Sequence, residues 1–254
     1  MNRLKTQLAQ GIPQFGLWQS LAHPYTAEIC AAAGFDWLLF DGEHAPNTLA
    51  TLLSQLQAVA AYPVEPVARP PAGDPAIIKQ YLDIGFRSLL IPMVGSVEQA
   101  ELLVSATRYP PTGIRGVAGM TRASGFGATP DYLAKAHEDT CLILQIENRA
   151  GLEAIEEIAA LPGVDAIFIG PSDLAAALGH LGDAGHPDVQ SAIAQAIAAV
   201  RRAGKPVGIF ATSVESARNY AAAGAGLVSV GSDIGLLSNG ARALQRAIAS
   251  RTGR

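Results

Sequence analysis

The chain contains 254 residues, of which 49% are hydrophobic and 16% are charged, and it carries a formal net charge of −4. This composition supports a large apolar core and excludes a disordered chain, and the acidic balance argues against a surface that binds nucleic acid or anionic membranes. The first residues lack the apolar centre of a signal peptide, and no apolar run reaches the ~18 residues of a membrane span, so we expect a cytoplasmic protein.

Eight short segments rich in Val, Ile, Leu and Phe follow one another along the chain. They barely alternate with polar residues, which is typical of strands that are covered on both faces. In chain order, the predicted strands are residues 14–18, 36–41, 65–69, 88–94, 141–147, 166–170, 206–210 and 227–231.

Helical patterns lie between these strands. Residues 47–60 place a row of leucines on one side of a helix, with Asn47 as its predicted N-cap. Further helix boundaries are predicted at Asp74, Pro75, Gly85, Ser96 and Ser213.

A repeated order of helix, glycine, apolar residue and strand precedes the second, fourth, sixth and eighth strands, as in "AAGFDWLLFDG" and "DIGFRSLLIP". Eight such β-then-α units without a linker predict that residues 1–254 form a single (β/α)8 TIM barrel. A doubly wound open sheet is the alternative, but it requires a glycine-rich turn after the first strand, and that turn is absent.

Polar residues concentrate at the C-terminal ends of the predicted strands, where the active site of such a barrel lies. The starts of the strands carry few comparable groups. The polar residues at the strand ends are Asp41, Glu43, His44, Arg69, Gln145, Glu147, Asp173 and Asp233. This asymmetry indicates an active site more strongly than any one of these residues does.

Glu147 and Asp173 follow neighbouring strands, and two converging carboxylates repel each other unless a cation or a proton compensates them. Two protein oxygens leave coordination positions for water and substrate, which is typical of Mg²⁺ or Mn²⁺ rather than of structural Zn²⁺. The alternative is an ion-paired or solvated pair of carboxylates.

Two further features favour the binding of a small carboxylate. Gly170, Pro171 and Ser172 open a helix whose free N–H groups suit an anion, although an ordinary helix start has the same sequence. Arg69 can donate two parallel hydrogen bonds to an oxyanion or a carboxylate, and the alternative for it is a salt bridge at the rim.

The lysines are poorly placed for imine chemistry, because Lys79 and Lys135 fall within predicted helices and Lys205 precedes the seventh strand. What remains is a metal, an arginine and a histidine. That set suits polarisation of a 2-oxo acid, removal of a proton beside its carbonyl group and stabilisation of the enolate.

At this point the motifs "GFDWLLFDGEHAPN", "RYPPTGIRG", "QIE" and "VDAIFIGPSDL" resemble the HpcH/HpaI aldolase family. The resemblance is strongest to its branch of 4-hydroxy-2-oxoheptanedioate and 2-keto-3-deoxy sugar-acid aldolases, and it extends from about residue 12 to residue 247. It implies the same barrel and a class II, divalent-metal-dependent retro-aldol cleavage of 4-hydroxy-2-oxo acids to pyruvate and an aldehyde, in aromatic or sugar-acid catabolism.

The resemblance also implies roles for individual residues. Glu147 and Asp173 would hold Mg²⁺, Mn²⁺ or Co²⁺, and Gln145 with the backbone of Ser172 and Asp173 would assist the binding of pyruvate through its carboxylate and keto oxygens. Arg69 would stabilise the oxygen of a metal-stabilised enolate. His44 would be the acid/base residue, with Asp41 close to it and Glu43 near metal-bound water.

The family resemblance implies a homo-hexamer, a trimer of dimers, in which the last helix is exchanged between partners. An aspartate matching Asp83 would raise the basicity of His44, but the local pattern places Asp83 at the wrong end of its own barrel. It would therefore act from a neighbouring subunit, and the alternative is a plain surface carboxylate.

The aldehyde side of the pocket would be shaped by Trp18, Val117 and Phe210. Phe210 stands where relatives tend to carry a smaller aliphatic residue, and Gly125 offers no side chain to a distal carboxylate. We therefore expect weakened selectivity for an acidic aldehyde.

Two other functions stay open at this point. One is an acyl-CoA lyase of the citrate-lyase-like branch, which would need a basic, adenine-binding surface that the acidic chain does not supply. The other is a non-catalytic 2-oxo-acid binding protein that keeps the metal but has lost its base.

Overall fold

A computed structural model describes residues 2–252 as a closed barrel of eight parallel strands in chain order, which confirms the predicted (β/α)8 fold. The strands are β1 Gln14–Gln19, β2 Trp37–Asp41, β3 Glu65–Arg69, β4 Ser88–Ile91, β5 Cys141–Ile146, β6 Ala166–Ile169, β7 Val207–Phe210 and β8 Leu227–Ser232.

Helices precede the first strand and follow every strand. They are α1 Arg3–Ala9, α2 Pro24–Ala32, α3 Leu49–Ala58, α4 Pro75–Asp83, α5 Val97–Ala106, α6 Tyr132–Asp139, α7 Arg149–Glu153, α8 Ile155–Ala160, α9 Pro171–Leu178, α10 Pro187–Arg202, α11 Val214–Ala222 and α12 Asp233–Thr252, with a 3₁₀ turn at Val59–Ala61. Within residues 2–252, none of the helices combines the length and hydropathy that crossing a membrane requires.

Side chains alternate between two apolar clusters because successive residues of a strand point to opposite faces. On β2, Leu38 and Phe40 pack outward against the helices, whereas Trp37 and Leu39 fill the barrel interior. Leu4 of α1 joins the interior cluster from below and helps to close the lower opening. The interior is therefore a packed core, and open space remains only at the upper, C-terminal ends of the strands.

Strand β4 is shorter than the sequence predicted, since it ends at Ile91 rather than at residue 94. Pro92 follows, and proline has no N–H to donate to a neighbouring strand. Met93 then adopts a left-handed backbone with φ of 57°, which breaks the strand geometry. This irregularity turns the Met93 amide toward the strand ends.

The structure moves the predicted N-cap of α3 by one residue. Thr48 caps this helix in a reciprocal capping box with Thr51. Asn47 instead donates its side-chain N–H to the Asp41 carbonyl oxygen at 2.7 Å, and its own oxygen accepts from Thr51 and Gln55. The predicted boundaries at Asp74, Pro75, Gly85, Ser96 and Ser213 are confirmed.

Candidate active site

A cavity of about 330 Å³ opens at the C-terminal ends of the strands. Most of the residues predicted for the site line it, namely Trp18, His44, Arg69, Gln145, Glu147, Gly170, Pro171, Ser172, Asp173 and Phe210. Three residues that the sequence did not single out also line it, namely Ser20, Phe168 and Ser232. Phe168 could have been found, because it lies two residues before Gly170 and so points to the same side of β6.

Arg69 is held by two carboxylates beneath the cavity. Its Nε and Nη2 atoms donate to the two Asp41 oxygens at 2.9 and 2.7 Å, in a bidentate pair that is almost fully buried. Its Nη1 atom lies 2.8 Å from Glu43 Oε2, but the N–H direction is too bent for a hydrogen bond, so this contact is an ion pair only. Arg69 therefore keeps N–H groups on Nη1 and Nη2 that are free to face the cavity.

Trp18 also holds the Arg69–Asp41 ion pair in place. The Arg69 guanidinium lies 5.1 Å from the centre of the Trp18 ring, within the range of a cation–π contact. The Trp18 indole N–H donates to Asp41 at 3.3 Å. Trp18 thus contacts both members of the ion pair, and the guanidinium has little freedom to move.

Burial and hydrogen bonding act in opposite directions on the carboxylates around Arg69. Burial raises the pKa of Asp41, but the hydrogen bonds and charge of Arg69, with the Glu43 and His44 amides, bring that pKa below its usual range. Burial raises the pKa of Glu43 above its usual range, although Arg69 and His44 oppose that effect. Asp41 is therefore the firmly ionised partner of Arg69.

His44 stands at the open side of the cavity, with its side chain 66% exposed. Its Nε2 atom lies 3.8 Å from Glu43 Oε2, which makes Glu43 the carboxylate nearest to the imidazole. Of the donors on His44, it is the backbone N–H that reaches Asp41, at 3.4 Å from Oδ1. The expected closeness of Asp41 and His44 is thus a backbone contact, and Glu43 bridges Arg69 and the imidazole.

Glu147 is buried at the inner wall of the cavity, and two donors hold its carboxylate. The Met93 amide donates to one oxygen at 2.9 Å, and the Gln145 side-chain amide donates to the other. Burial nevertheless raises the pKa of Glu147 to about 6, with Asp173 and Glu43 adding to this effect. A cation bound beside the carboxylate would offset these effects and favour its ionised form.

Asp173 faces the same cavity from the first turn of α9, and it is exposed. Gly170 is the N-cap of this helix and Pro171 its first residue, so the amides of Ser172 and Asp173 have no partner within the helix. Gly170 also lies against Glu147, because a Cβ atom there would collide with the Glu147 carboxylate and come within 2.9 Å of Gln145 Nε2.

The donor set fits a divalent cation that prefers oxygen. Glu147 and Asp173 supply two carboxylates, and the buried Gln145 Oε1 atom has no hydrogen-bond partner. A set of two carboxylates and one unpaired amide oxygen favours a hard cation such as Mg²⁺ or Mn²⁺, and the remaining positions would go to water or substrate.

Three of the predicted residues do not line this cavity: Asp41 lies directly beneath it, and Asp83 and Val117 lie away from it. Asp83 pairs with the buried Arg115 at 2.6 Å, and Arg115 stacks on the Tyr109 ring. Val117 is 61% exposed on the irregular segment between α5 and α6. The action of Asp83 across a subunit boundary and the contribution of Val117 to the aldehyde side of the pocket both stay predictions.

The comparisons with known proteins agree on one family. The family described as "HpcH/HpaI aldolase/citrate lyase" matches residues 14–240. A "Hydroxypyruvate/pyruvate aldolase" of Deinococcus radiodurans is 57% identical over 244 residues, which are 96% of this chain and 88% of the relative. A "4-hydroxy-2-oxo-heptane-1,7-dioate aldolase" of Klebsiella pneumoniae is 51% identical, over 96% of this chain and 92% of the relative. The crystal structure of a family member from Burkholderia cenocepacia superimposes with a TM-score of 0.95 at 45% identity, over 98% of this chain and 99% of the other.

Proposed function

Because the chain belongs to the HpcH/HpaI aldolase/citrate lyase family, we propose that it is a pyruvate aldolase, a carbon–carbon lyase that cleaves 4-hydroxy-2-oxo acids reversibly. The observation that carries this proposal is the cavity in which Glu147 and Asp173 face the Arg69 guanidinium. Carboxylates on one wall and a fixed guanidinium on the other suit a substrate that develops an enolate between them.

We propose that Glu147 and Asp173 hold the divalent metal, which would supply Lewis-acid polarisation of the 2-oxo group. The Ser172 and Asp173 amides, at the start of α9, would bind the substrate carboxylate. Gln145 keeps the Glu147 carboxylate in place through its side-chain N–H. Orientation by these fixed groups lowers the entropic cost of reaching the reactive geometry.

Arg69 would stabilise the negative charge that develops on the 2-oxo oxygen when the carbon–carbon bond breaks. Its Nε–H and one N–H of Nη2 donate to Asp41, so the remaining N–H groups on Nη1 and Nη2 can serve this oxygen. Because Asp41 and Trp18 already hold the guanidinium, the stabilisation needs no rearrangement during the reaction.

His44 would transfer the proton. In the cleavage direction its imidazole accepts the proton of the 4-hydroxyl group, C3–C4 breaks, and the electron pair passes to C3 as the enolate of pyruvate. Its place at the mouth of the cavity supports this role, because the aldehyde end of the substrate points toward solvent. Glu43 Oε2, at 3.8 Å from Nε2, would orient the imidazole.

The choice of aldehyde follows from the charges in the cavity wall. Among the described residues, Arg69 is the one lysine or arginine that lines it, and two carboxylates already pair with it. A distal carboxylate on the aldehyde would therefore find no free cation, and we propose a preference for uncharged aldehydes. The names of the relatives further suggest hydroxypyruvate as a second donor besides pyruvate.

The test is exchange of the pyruvate methyl protons in D2O, followed by proton NMR with and without Mg²⁺. We expect exchange that needs the metal, persists in the presence of borohydride and is lost in Glu147→Gln. Absence of exchange with every divalent metal, or trapping of the protein by borohydride, would contradict the proposal.

His44→Ala separates an aldolase from a binding protein. The variant should still bind metal and pyruvate but should lose most of its retro-aldol rate. Unchanged turnover in this variant would remove His44 from the mechanism. A panel of 4-hydroxy-2-oxo acids with and without a terminal carboxylate then tests the proposed preference for uncharged aldehydes.

We also propose that the protein is a homo-hexamer built as a trimer of dimers and located in the cytoplasm. Exposed leucines on α12, such as Leu237 and Leu244, support association, because a row of large apolar side chains is costly in water. The unpaired thiols Cys30 and Cys141 support a reducing compartment. Action of Asp83 on His44 of a neighbouring subunit remains part of this proposal.

A further inference from the structure

A second group of ionisable side chains lies outside the cavity, on the loop between α9 and α10 and in the first turn of α10. His180 Nε2 is 3.3 Å from Asp188 Oδ2, and His186 Nδ1 is 3.7 Å from the same oxygen. The two imidazole rings stack with their centres 3.6 Å apart and their planes at 16°. One potential ligand atom from each of the three residues falls within 4.8 Å of the others, and this is the one such group of three in residues 2–252.

Helix capping explains only part of this group. His186 is the N-cap of α10, where its Nδ1 atom accepts from the Asp188 amide at 3.2 Å and Pro187 follows. His23 caps α2 in the same way, with the Tyr25 amide at 3.2 Å and a proline in the next position. His23 has no histidine and carboxylate beside it in the metal-ligand geometry found at residues 180–188. The capping function therefore does not require His180 or Asp188.

The chemistry of the three residues differs from that of the cavity. Two imidazoles and one carboxylate suit a borderline ion such as Zn²⁺, which takes nitrogen ligands readily, whereas Mg²⁺ prefers an all-oxygen set. Three protein ligands leave the fourth tetrahedral position to water. This second group thus selects a different metal from the one expected at Glu147 and Asp173.

Binding requires two local changes. The stacked rings must turn apart so that both lone pairs point at one ion, and His186 Nδ1 must exchange the Asp188 N–H for the metal. Both side chains are partly exposed, at 25% for His180 and 34% for His186, so the rings can rotate without moving the core. The positive end of the α10 dipole disfavours a cation here, and the Asp188 carboxylate offsets that effect.

We propose that His180, His186 and Asp188 form a zinc-binding site that is separate from the catalytic centre. A bound ion would join the end of α9 to the start of α10. Because the first turn of α9 carries Ser172 and Asp173, occupancy would restrain the helix on which the proposed substrate and metal contacts depend. The site is thus a structural clamp at the catalytic face, and it stands whether or not the aldolase proposal is correct.

The test uses the whole protein in excess Mg²⁺, equilibrated with a buffered concentration of free Zn²⁺. Bound zinc is counted by elemental analysis for the natural chain and for the variants His180→Ala, His186→Ala and Asp188→Asn. His23→Ala is the matched control, since it removes an equivalent N-cap and leaves the group intact. Thermal melting with and without Zn²⁺ is measured on the same samples.

We expect the natural chain and His23→Ala to bind one more zinc ion per chain than His180→Ala and His186→Ala. Asp188→Asn should lower the affinity for this zinc ion at least tenfold. Zinc should raise the melting temperature of the natural chain more than that of His180→Ala. Equal zinc content in the natural chain and His180→Ala overturns the proposal, and so does an equal loss in His23→Ala and His186→Ala. Zinc that replaces Mg²⁺ at Glu147 would be counted equally in all samples. It therefore leaves the difference in bound zinc between the natural chain and the variants unchanged.

Discussion

Arg69 receives contacts from Asp41, Glu43 and Trp18, so that a change in any of them alters the guanidinium that the substrate would meet. The strongest of these contacts is the buried bidentate pair with Asp41. Because burial removes the screening by water, loss of one partner leaves an uncompensated charge.

We predict that Asp41→Asn lowers kcat/KM at least tenfold and lowers the free energy of unfolding by ~3 kcal/mol. The amide keeps the shape of the side chain but loses the charge that fixes Arg69. Steady-state kinetics and urea denaturation measure the two effects. Asp131→Asn is the control, because its ion pair with Lys135 is exposed and should contribute less than ~1 kcal/mol. Unchanged kinetics in Asp41→Asn would contradict the arrangement proposed for Arg69.

Glu147 predicts a pH dependence of stability in the metal-free protein. Its pKa is raised from 4.5 to about 6, so between these values the folded chain binds more protons than the unfolded chain. The stabilising contribution is complete below pH 4.5 and is lost as the pH rises through 6. The loss amounts to ~2 kcal/mol.

Urea denaturation in EDTA from pH 4.5 to pH 7 measures this effect as the difference between the natural chain and Glu147→Gln. Glutamine cannot ionise, so the variant should gain relative stability as the pH rises. Parallel curves for the two proteins would show that Glu147 titrates in its ordinary range.

At the scale of the element, the alternation of residues along each strand carries most of the site. Asp41 and Arg69 continue the inward series of β2 and β3, and Gln145 and Glu147 continue that of β5, so the sequence alone could place them at one cavity. It could not place the Met93 amide on Glu147, because that contact depends on the left-handed backbone after Pro92. A strand pattern carries no information about such a turn.

Gly170 joins β6 to α9, and a side chain there would collide with Glu147. Its φ of −96° is accessible to any residue, so Gly170→Ala should act through that collision alone. We predict at least tenfold weaker Mn²⁺ binding and a matching loss of activity, with stability lowered by ~1–3 kcal/mol. Mn²⁺ titration followed by electron paramagnetic resonance measures the binding.

Gly179, at the other end of α9, provides the matched control. Its φ is +94°, and a Cβ atom added there would meet nothing within 4 Å. Gly179→Ala should therefore lower stability by ~1 kcal/mol through backbone strain and leave Mn²⁺ binding unchanged. The opposite pattern in the two variants would show that the helix start does not shape the metal site.

At the scale of the whole molecule, contacts between distant segments were beyond sequence reasoning. Trp18 and Arg69, for example, are separated by 51 positions and lie on different strands. The barrel itself was predictable, because eight repeated units leave few other arrangements. The exchange of α12 between partner subunits stays a prediction.

The exposed leucines of α12 predict how substitutions on this helix would change the oligomeric state. Leu237 and Leu244 are seven positions apart and so lie on one side of the helix. Replacing both with glutamate should convert the proposed hexamer to smaller species in light scattering, because two charges would enter the proposed apolar contact. Leu102→Glu, at an exposed leucine on α5, is the control and should leave the mass unchanged. An unaltered mass in the double variant would remove α12 from the interface.

The layered interior of the barrel bears on how new activities arise in this scaffold. The polar residues Asp41, Arg69 and Gln145 stand one inward step above an apolar floor that includes Leu39 and Val67. Apart from the buried Asp41–Arg69 pair, folding rests on the floor and chemistry on the layer above it. A directed-evolution library restricted to the upper layer, with that pair kept, should therefore yield mostly folded proteins, whereas one of equal size in the floor should not.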